Sequence, residues 1–340
     1  MNTLGSELTS PDPSRRRYFV VGGAGFIGSH FTDRLLSDPH ITAVTLYDNF
    51  SSGREWHYAH HADDARLRVI RGDVSDRPML VRAMADHDVV IHLASNPDIA
   101  AAMMNPSIDF DQGTALTHNV VDAMRQNGIK RILYASGSGI YGDLGEREAF
   151  EDMGPLIPVS TYGASKLAGE ALVSSYCYMF GITACVFRFA NVVGPRQTHG
   201  VGFDFLRKLA KDPGRLPILG DGSQSKSYIY VLDVVAAVLT ANERCTKTFE
   251  AFNVATGDYI TVREIADLAV ECAGKAKGDV RLEFTGGNRG WKGDVPIVRI
   301  NSDRIRSLGW KSTKTSREAL KASMLAMFSD PNMQVVPRAS

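Results

Sequence analysis

The stretch Tyr18-Phe19-Val20-Val21-Gly22-Gly23-Ala24-Gly25-Phe26-Ile27-Gly28-Ser29-His30 leaves this chain few ways to fold. Four apolar, mostly β-branched or aromatic residues read as a short buried strand. Phe26, Ile27, Phe31, Leu35 and Leu36 then recur at helical spacing. The chain must therefore pass from strand to helix inside the glycine run. Gly22 relieves the turn, Gly25 has no Cβ to keep a pyrophosphate off the backbone, and Gly28 lets the helix lie close on the sheet. A helix opening there offers free N–H groups and the positive end of its dipole to phosphates. Phe26 and Ile27, at that opening, join the glycines as candidate dinucleotide contacts.

A glycine triplet alone also fits a plain tight turn. Asp48, twenty residues after Gly28, argues for the dinucleotide. It ends a second strand, 43–47, where a carboxylate accepts both adenosine ribose hydroxyls of NAD and repels a 2′-phosphate. Asn49 follows it. Arg54 keeps NADP open, and NAD is favoured.

Composition sets bounds. The 340 residues hold one large α/β unit and a smaller lobe; 44% are hydrophobic, 22% charged, and the formal net charge is zero. Nothing asks for nucleic acid or an acidic membrane. No apolar run reaches the roughly 18–20 residues of a membrane span. Residues 1–16 carry their charges late and read as a frayed tail, not a signal peptide. Four scattered cysteines without a C-x-x-C read as reduced thiols of a cytoplasmic protein. His57, His60 and His61 read as solvated surface residues, and no metal is expected.

The remaining elements alternate. A strand at 67–70 leads to Gly72-Asp73-Val74, where Asp73 is placed to reach the adenine amino group. A strand at 88–95 ends in Leu93, Ala94 and Ser95, small enough to let a dinucleotide cross the sheet edge; His92 reads as a packed core histidine. A long helix at 108–127 precedes a strand at 130–135, which delivers Ser136-Gly137-Ser138-Gly139 at its end. A helix at 161–180 and a strand at 183–188 follow. This alternation predicts an α/β fold, a doubly wound parallel Rossmann sheet with right-handed crossovers. From 191 the pattern turns to glycines, prolines and short elements. The expected organisation is a tail at 1–16, an NAD-binding unit at 17–190 with 228–255 packing back on it, a smaller mixed substrate lobe mainly over 191–330, and a tail at 331–340.

Tyr162 and Lys166 are four apart at a helix start, so they share a face. A tyrosine pKa of about 10 is too high for a base near neutrality. A neighbouring ammonium and the positive nicotinamide ring favour phenolate, which makes Tyr162 a candidate general base. The plain alternative is a surface Tyr–Lys pair.

Taken together, Gly22-x-x-Gly25-x-x-Gly28, Asp48, Asp73-Val74, His92-Leu93-Ala94, the serine strand before Tyr141-Gly142, and Tyr162-x-x-x-Lys166 resemble the extended short-chain dehydrogenase/reductases. Residues 188–195, Gly220-Asp221-Gly222, 228–233 and 252–254 continue the likeness, which spans about 17–315. It is nearest the nucleotide-sugar epimerases of the UDP-glucose 4-epimerase type. The resemblance implies that Tyr162 takes the 4-hydroxyl proton while hydride leaves C4. A 4-keto sugar then turns over and is reduced on its other face. It implies a UDP-hexose substrate contacted by Asn191, by the region of Val201 and Phe205, and by Lys226 and Arg289 at phosphate. It further implies a homodimer through the helices at 108–127 and 161–180. In such enzymes a catalytic Ser or Thr lies four residues before the Tyr-Gly pair. Here that place is Gly137, so either Ser136 or Ser138 supplies the hydroxyl, or the hydrogen bond to the sugar differs. Trp291 stands where an arginine is expected. Dehydratases carry an Asp-Glu pair where this chain has Ser138-Gly139. A dehydratase, decarboxylase or reductase of the same family, and a non-catalytic NAD-binding regulator, are the competing readings.

Overall fold

The computed structural model describes residues 16–96, 102–290 and 293–333. Its centre is a seven-stranded, all-parallel sheet: β1 Arg17–Val21, β2 Ala43–Asp48, β3 Leu67–Arg71, β4 Val89–His92, β5 Arg131–Gly137, β6 Thr183–Phe189 and β7 Phe249–Val254. The spatial order is β7-β6-β5-β4-β1-β2-β3. β1 and β4 are neighbours, with the chain winding outward in opposite directions from them. A crevice opens beyond the strand ends at such a switch point.

Helices cover both faces because each inner strand is apolar on both sides. On one face α1 (Phe26–Leu36) and α6 (Val231–Arg244) bury Phe31, Leu35, Val234 and Val238 against Val20, Leu46, Ile91 and Leu133. On the other, α2 (Arg77–Met84), α3 (Leu116–Gln126) and α4 (Thr161–Phe180) bury Leu80, Met84, Val120, Met124 and Val173 against Phe19, Val90 and Ile132. Ser160 caps α4 by accepting from the Gly163 N–H, and Gly181 ends it at φ 64°.

The helix expected at 108–127 runs without a break over 108–126, with a π-helical stretch, Phe110–Ala115, leading into α3. Within that stretch the backbone approaches α4 closely: a Cβ on Gly113 would lie 1.9 Å from Ser165 Oγ. β3, the strand expected at 67–70, is at the edge of the sheet with Arg68, Val69 and Arg71 exposed.

Beyond the sheet's carboxyl ends lies a second core. There α5 (Val201–Lys211), α7 (Val262–Cys272) and α9 (Ser316–Ser329) enclose Phe205, Leu209, Leu268 and Met324 beside the parallel pair Arg215–Ile218 and Arg281–Phe284. A short α8 (Asp303–Ser307) precedes α9. α9 has no counterpart in the sequence reading, although Thr315 and Glu318 form a reciprocal capping box at its start. The predicted tails lie mostly outside the described residues; Arg16 and residues 331–333 lie within them.

Candidate active site

One cleft of about 790 Å³ crosses the carboxyl ends of β1 to β6 and continues under the second core. Gly22 turns at φ 80°, and a Cβ there would come within 2.9 Å of the Ala94 backbone nitrogen. A Cβ on Gly28 would lie 2.6 Å from the carbonyl oxygens of Gly22 and Gly23. Gly25 is the N-cap of α1, and no side chain caps that helix. The first-turn N–H groups of Phe26 and Ile27 therefore open towards the cleft that both residues line.

Asp48 stands at the end of β2 with one carboxylate oxygen accepting from the Ala24 N–H at 3.0 Å and the other from the Phe50 N–H at 2.8 Å. Burial pushes its pKa up, and the two N–H donors oppose this. The carboxylate is thereby aimed while keeping lone pairs for ribose hydroxyls. Asn49 donates to Asp73 at 2.8 Å; this bond, with those from Ser75, holds the Asp73 carboxyl below its usual range. Asp73, Val74, Leu93, Ala94 and Ser95 all line the same cleft. Glycines without Cβ atoms, uncapped helix N–H groups and an aimed carboxylate fit an NAD molecule.

Farther along, the first turn of α4 brings Tyr162 and Lys166 to the cleft. Lys166 is 4% exposed, donates from Nζ to the Ala135 carbonyl at 2.8 Å, and lies 5.6 Å from the Tyr162 ring centre. Burial pulls its pKa down to about 8, with Glu170 and Asp109 opposing. Burial also pushes the Tyr162 phenol up, opposed by a hydrogen bond with Ser95. The expected lowering of Tyr162 by Lys166 is thus not built into the protein alone; the lysine reaches a carbonyl instead of the phenol. Asp109, missed by the sequence reading, is buried beside the pair and accepts from Asn96 at 2.9 Å and Thr161 at 2.6 Å. No local motif marks it, because its partners come from distant segments.

The two candidate serines differ. Ser136 is buried and donates to Glu170 at 2.6 Å. Glu170 pairs with Arg188 at 2.8 Å, and Arg188 donates to Tyr141, which donates to Asn253. Ser136 is therefore committed to a buried polar network joining β5, α4, β6 and β7. β5 ends at Gly137, and a 3-10 turn, Ser138–Tyr141, begins. Both serines line the cleft, and the Ser138 hydroxyl takes no hydrogen bond among the described residues. A Cβ on Gly137 would meet nothing within 4 Å.

At the far end, Asn191, Val201 and Lys226 line the cleft, joined by Gln197, Tyr228 and Asp294. Lys226 pairs with Asp294 at 2.5 Å. Two residues expected to contact substrate lie apart from the cleft lining. Phe205 is 3% exposed in the second core, because the apolar face of α5 turns inward. Arg289 is tied to Asp143 at 2.6 Å and to the Asp294 carbonyl; it does not line the cleft. Trp291 lies outside the described residues.

Of the histidines, His57 departs from its expected surface place, and His92 is the packed core residue expected. His57 is fully buried, with Nδ1 2.7 Å from the Ala24 carbonyl, and so braces the glycine turn. His60 and His61 both meet Asp33 at 2.8 Å, and Arg196 takes its other oxygen. His92 is buried against Thr117 and Tyr134, and burial pulls its pKa down to about 3, which leaves it neutral.

A doubly wound sheet with a glycine turn, an aimed ribose carboxylate and a Tyr–Lys pair defines the extended short-chain dehydrogenase/reductase class. Within it, the chain belongs to the NAD-dependent epimerase/dehydratase family, whose profile matches residues 18–255. It is 33% identical over 303 residues to the UDP-glucose 4-epimerase of Mycolicibacterium smegmatis, covering 87% of this chain and 93% of that one. It is 29% identical over 309 residues to the dTDP-glucose 4,6-dehydratase of Streptomyces griseus, covering 90% and 92%. Among solved structures, the Thermus thermophilus UDP-glucose 4-epimerase in complex with NAD aligns with a TM-score of 0.80 at 29% identity, over 92% of this chain and 100% of that one.

Proposed function

We propose that this protein is a nucleotide-sugar 4-epimerase acting on a UDP-hexose. The observation that carries the reading is that Tyr162, Lys166 and Ser138 line one cleft, with Ser138-Gly139 standing where dehydratases of the family resembled carry an Asp-Glu pair. The carboxylate whose charge Tyr162 feels, Asp109, is held by Asn96 and Thr161. Epimerisation at C4 needs one proton moved on and off O4. A 4,6-dehydration needs further groups to remove a C5 proton and assist the departing 6-hydroxyl.

Bound NAD supplies the acceptor and donor of hydride. The residues do the rest. Tyr162 removes the O4 proton and returns it after the sugar has turned. Lys166, held 5.6 Å from the phenol ring, and the positive nicotinamide ring would together favour its ionised form. Ser138 supplies a hydrogen bond at the sugar hydroxyl, in place of the family's residue at position 137. Asn191 and Lys226 hold the diphosphate, and the Val201 region borders the base. Residues 17–190 with 228–255 act as the cofactor unit, and the rest of 191–330 as the substrate lobe.

The working form is a cytoplasmic homodimer. Phe110, Tyr178 and Met179 beside α3 and α4 are 61%, 74% and 71% exposed, an apolar face that suits a second copy. No helix among the described residues is long and apolar enough to cross a membrane.

The test is incubation with UDP-glucose, UDP-galactose and their N-acetyl forms without reductant, following the sugar protons by NMR. Interconversion at C4 without net NADH supports the reading. A 4-keto-6-deoxy product makes the protein a dehydratase. No change in any UDP sugar contradicts the UDP-hexose assignment.

A further inference from the structure

Outside the cleft lining, three metal-ligating side chains from two segments converge. Asp33 stands on α1, and His60 and His61 come from a 3-10 turn, Ala59–His61. The Nε2 atoms of both histidines lie 2.8 Å from the same Asp33 oxygen, Oδ1, and the three atoms are all within 4.8 Å of one another. Tetrahedral zinc, with bonds of about 2.0–2.1 Å, spaces its ligand atoms about 3.3 Å apart. The two Asp–His separations need to open by only about half an ångström to admit such an ion. Sequence spacing pointed to no such site because Asp33 lies 27 residues from His60.

The other oxygen of Asp33 is already taken. Arg196 pairs with Oδ2, and its guanidinium also donates to the His57 carbonyl and to His30 Nδ1, both at 2.8 Å. A carboxylate held through one oxygen presents the other in a fixed direction, as the outer partners of metal ligands do. Although burial opposes it, the bonds from Arg196, His60 and His61 hold the Asp33 carboxyl below its usual range, so it is an anion at neutral pH. Burial and the Arg196 charge pull His30 down to about 4, so it stays neutral and adds no charge against a cation.

We propose that Asp33, His60 and His61 bind a divalent first-row transition-metal ion of the zinc type, with water completing its shell. Two imidazoles and one carboxylate suit such an ion, whereas magnesium and calcium take oxygen ligands. The Nδ1 atoms of His60 and His61 take no hydrogen bond among the described residues. Each ring can therefore carry its proton there and turn the Nε2 lone pair to the ion. The His60 side chain is 51% exposed, which leaves a way in. As hydrogen bonds alone, these partly exposed His–Asp contacts would contribute little to stability; as ligands they make three bonds to one ion. The ion would tie the 59–61 turn to α1, beside His57, whose Nδ1 meets the Ala24 carbonyl of the glycine turn. The site is a clasp on the cofactor unit, separate from the reacting end.

The test uses the full chain, stripped with a chelator and titrated with zinc by calorimetry, with cobalt as a spectroscopic probe. The expected result is one zinc per chain, an unfolding midpoint that rises with zinc concentration, and visible cobalt absorption bands that zinc abolishes. His60→Gln can still donate to Asp33 but is a poor ligand. It should keep the metal-free unfolding midpoint and weaken zinc binding about ten-fold or more. His61→Ala and Asp33→Asn should weaken it at least as much. His40→Ala, at an exposed histidine outside the cluster, should change nothing. Failure of the wild type to bind zinc overturns the proposal. So does zinc binding that is unchanged in His60→Gln and His61→Ala, which would put the ion on other groups such as the half-buried thiols of Cys245 and Cys272.

Discussion

The two ends of the cleft are held by different kinds of interaction. At the dinucleotide end the work falls to backbone and short-range contacts. Gly22, Gly25 and Gly28 act by lacking a side chain, and Asp48 is aimed by two main-chain N–H groups. At the sugar end, side chains from distant segments meet: Lys226 with Asp294, Asp109 with Asn96 and Thr161, Ser136 with Glu170. The first arrangement is compact and tolerates little change. The second can be rebuilt residue by residue, which suits an end that distinguishes one sugar from another.

That contrast can be broken by substitution. Tyr162→Phe should have the largest effect on turnover, a loss of about a thousand-fold, with bound NAD retained as judged by absorbance of the denatured extract. Gly28→Val should do the reverse. Its side chain meets two main-chain carbonyl oxygens, so NAD should be lost on purification. Stability should also drop by about 1–3 kcal/mol in urea unfolding.

The serines sharpen the picture at the junction. Ser138→Ala should lower kcat by about 10–100-fold without moving the unfolding midpoint. Ser136→Ala should cost about 1–3 kcal/mol of stability through the lost bond to Glu170, with the smaller effect on kcat. Smallest should be the pair at the far end. Lys226→Ala should raise KM on the order of ten-fold through a lost charge-assisted contact, and Arg289→Ala should leave KM within about two-fold. Equal KM effects from these two would return Arg289 to the phosphate site.

The same contrast explains what could be read from sequence. The glycine turn and the ribose carboxylate of the dinucleotide end are encoded within the 31 residues from Tyr18 to Asp48, so spacing alone exposed them. Tyr162 and Lys166 were readable because a helix turn puts residues four apart on one face. Phe205 was not: an amphipathic helix announces an apolar face but not what it faces. Ser136 and Ser138 were inseparable on a strand period of two, because the strand stops between them and a 3-10 turn re-aims the second. Nothing local marked the π-helical stretch around Gly113, which packs closely on Ser165 of another helix. For α9 the signal was present in Thr315-x-x-Glu318 and in Ala319, Leu320, Ser323, Met324 and Met327, all buried in the structure.

The most direct test of the central claim follows a single hydrogen. A UDP-hexose carrying deuterium at C4 is incubated with the enzyme and its endogenous NAD in ordinary water, and the product is examined by NMR and mass spectrometry. The account predicts the C4 epimer with deuterium still at C4, no NADH released, and no product from Tyr162→Phe. Deuterium lost to solvent, or moved to C6 of a 4-keto-6-deoxy sugar, would contradict it.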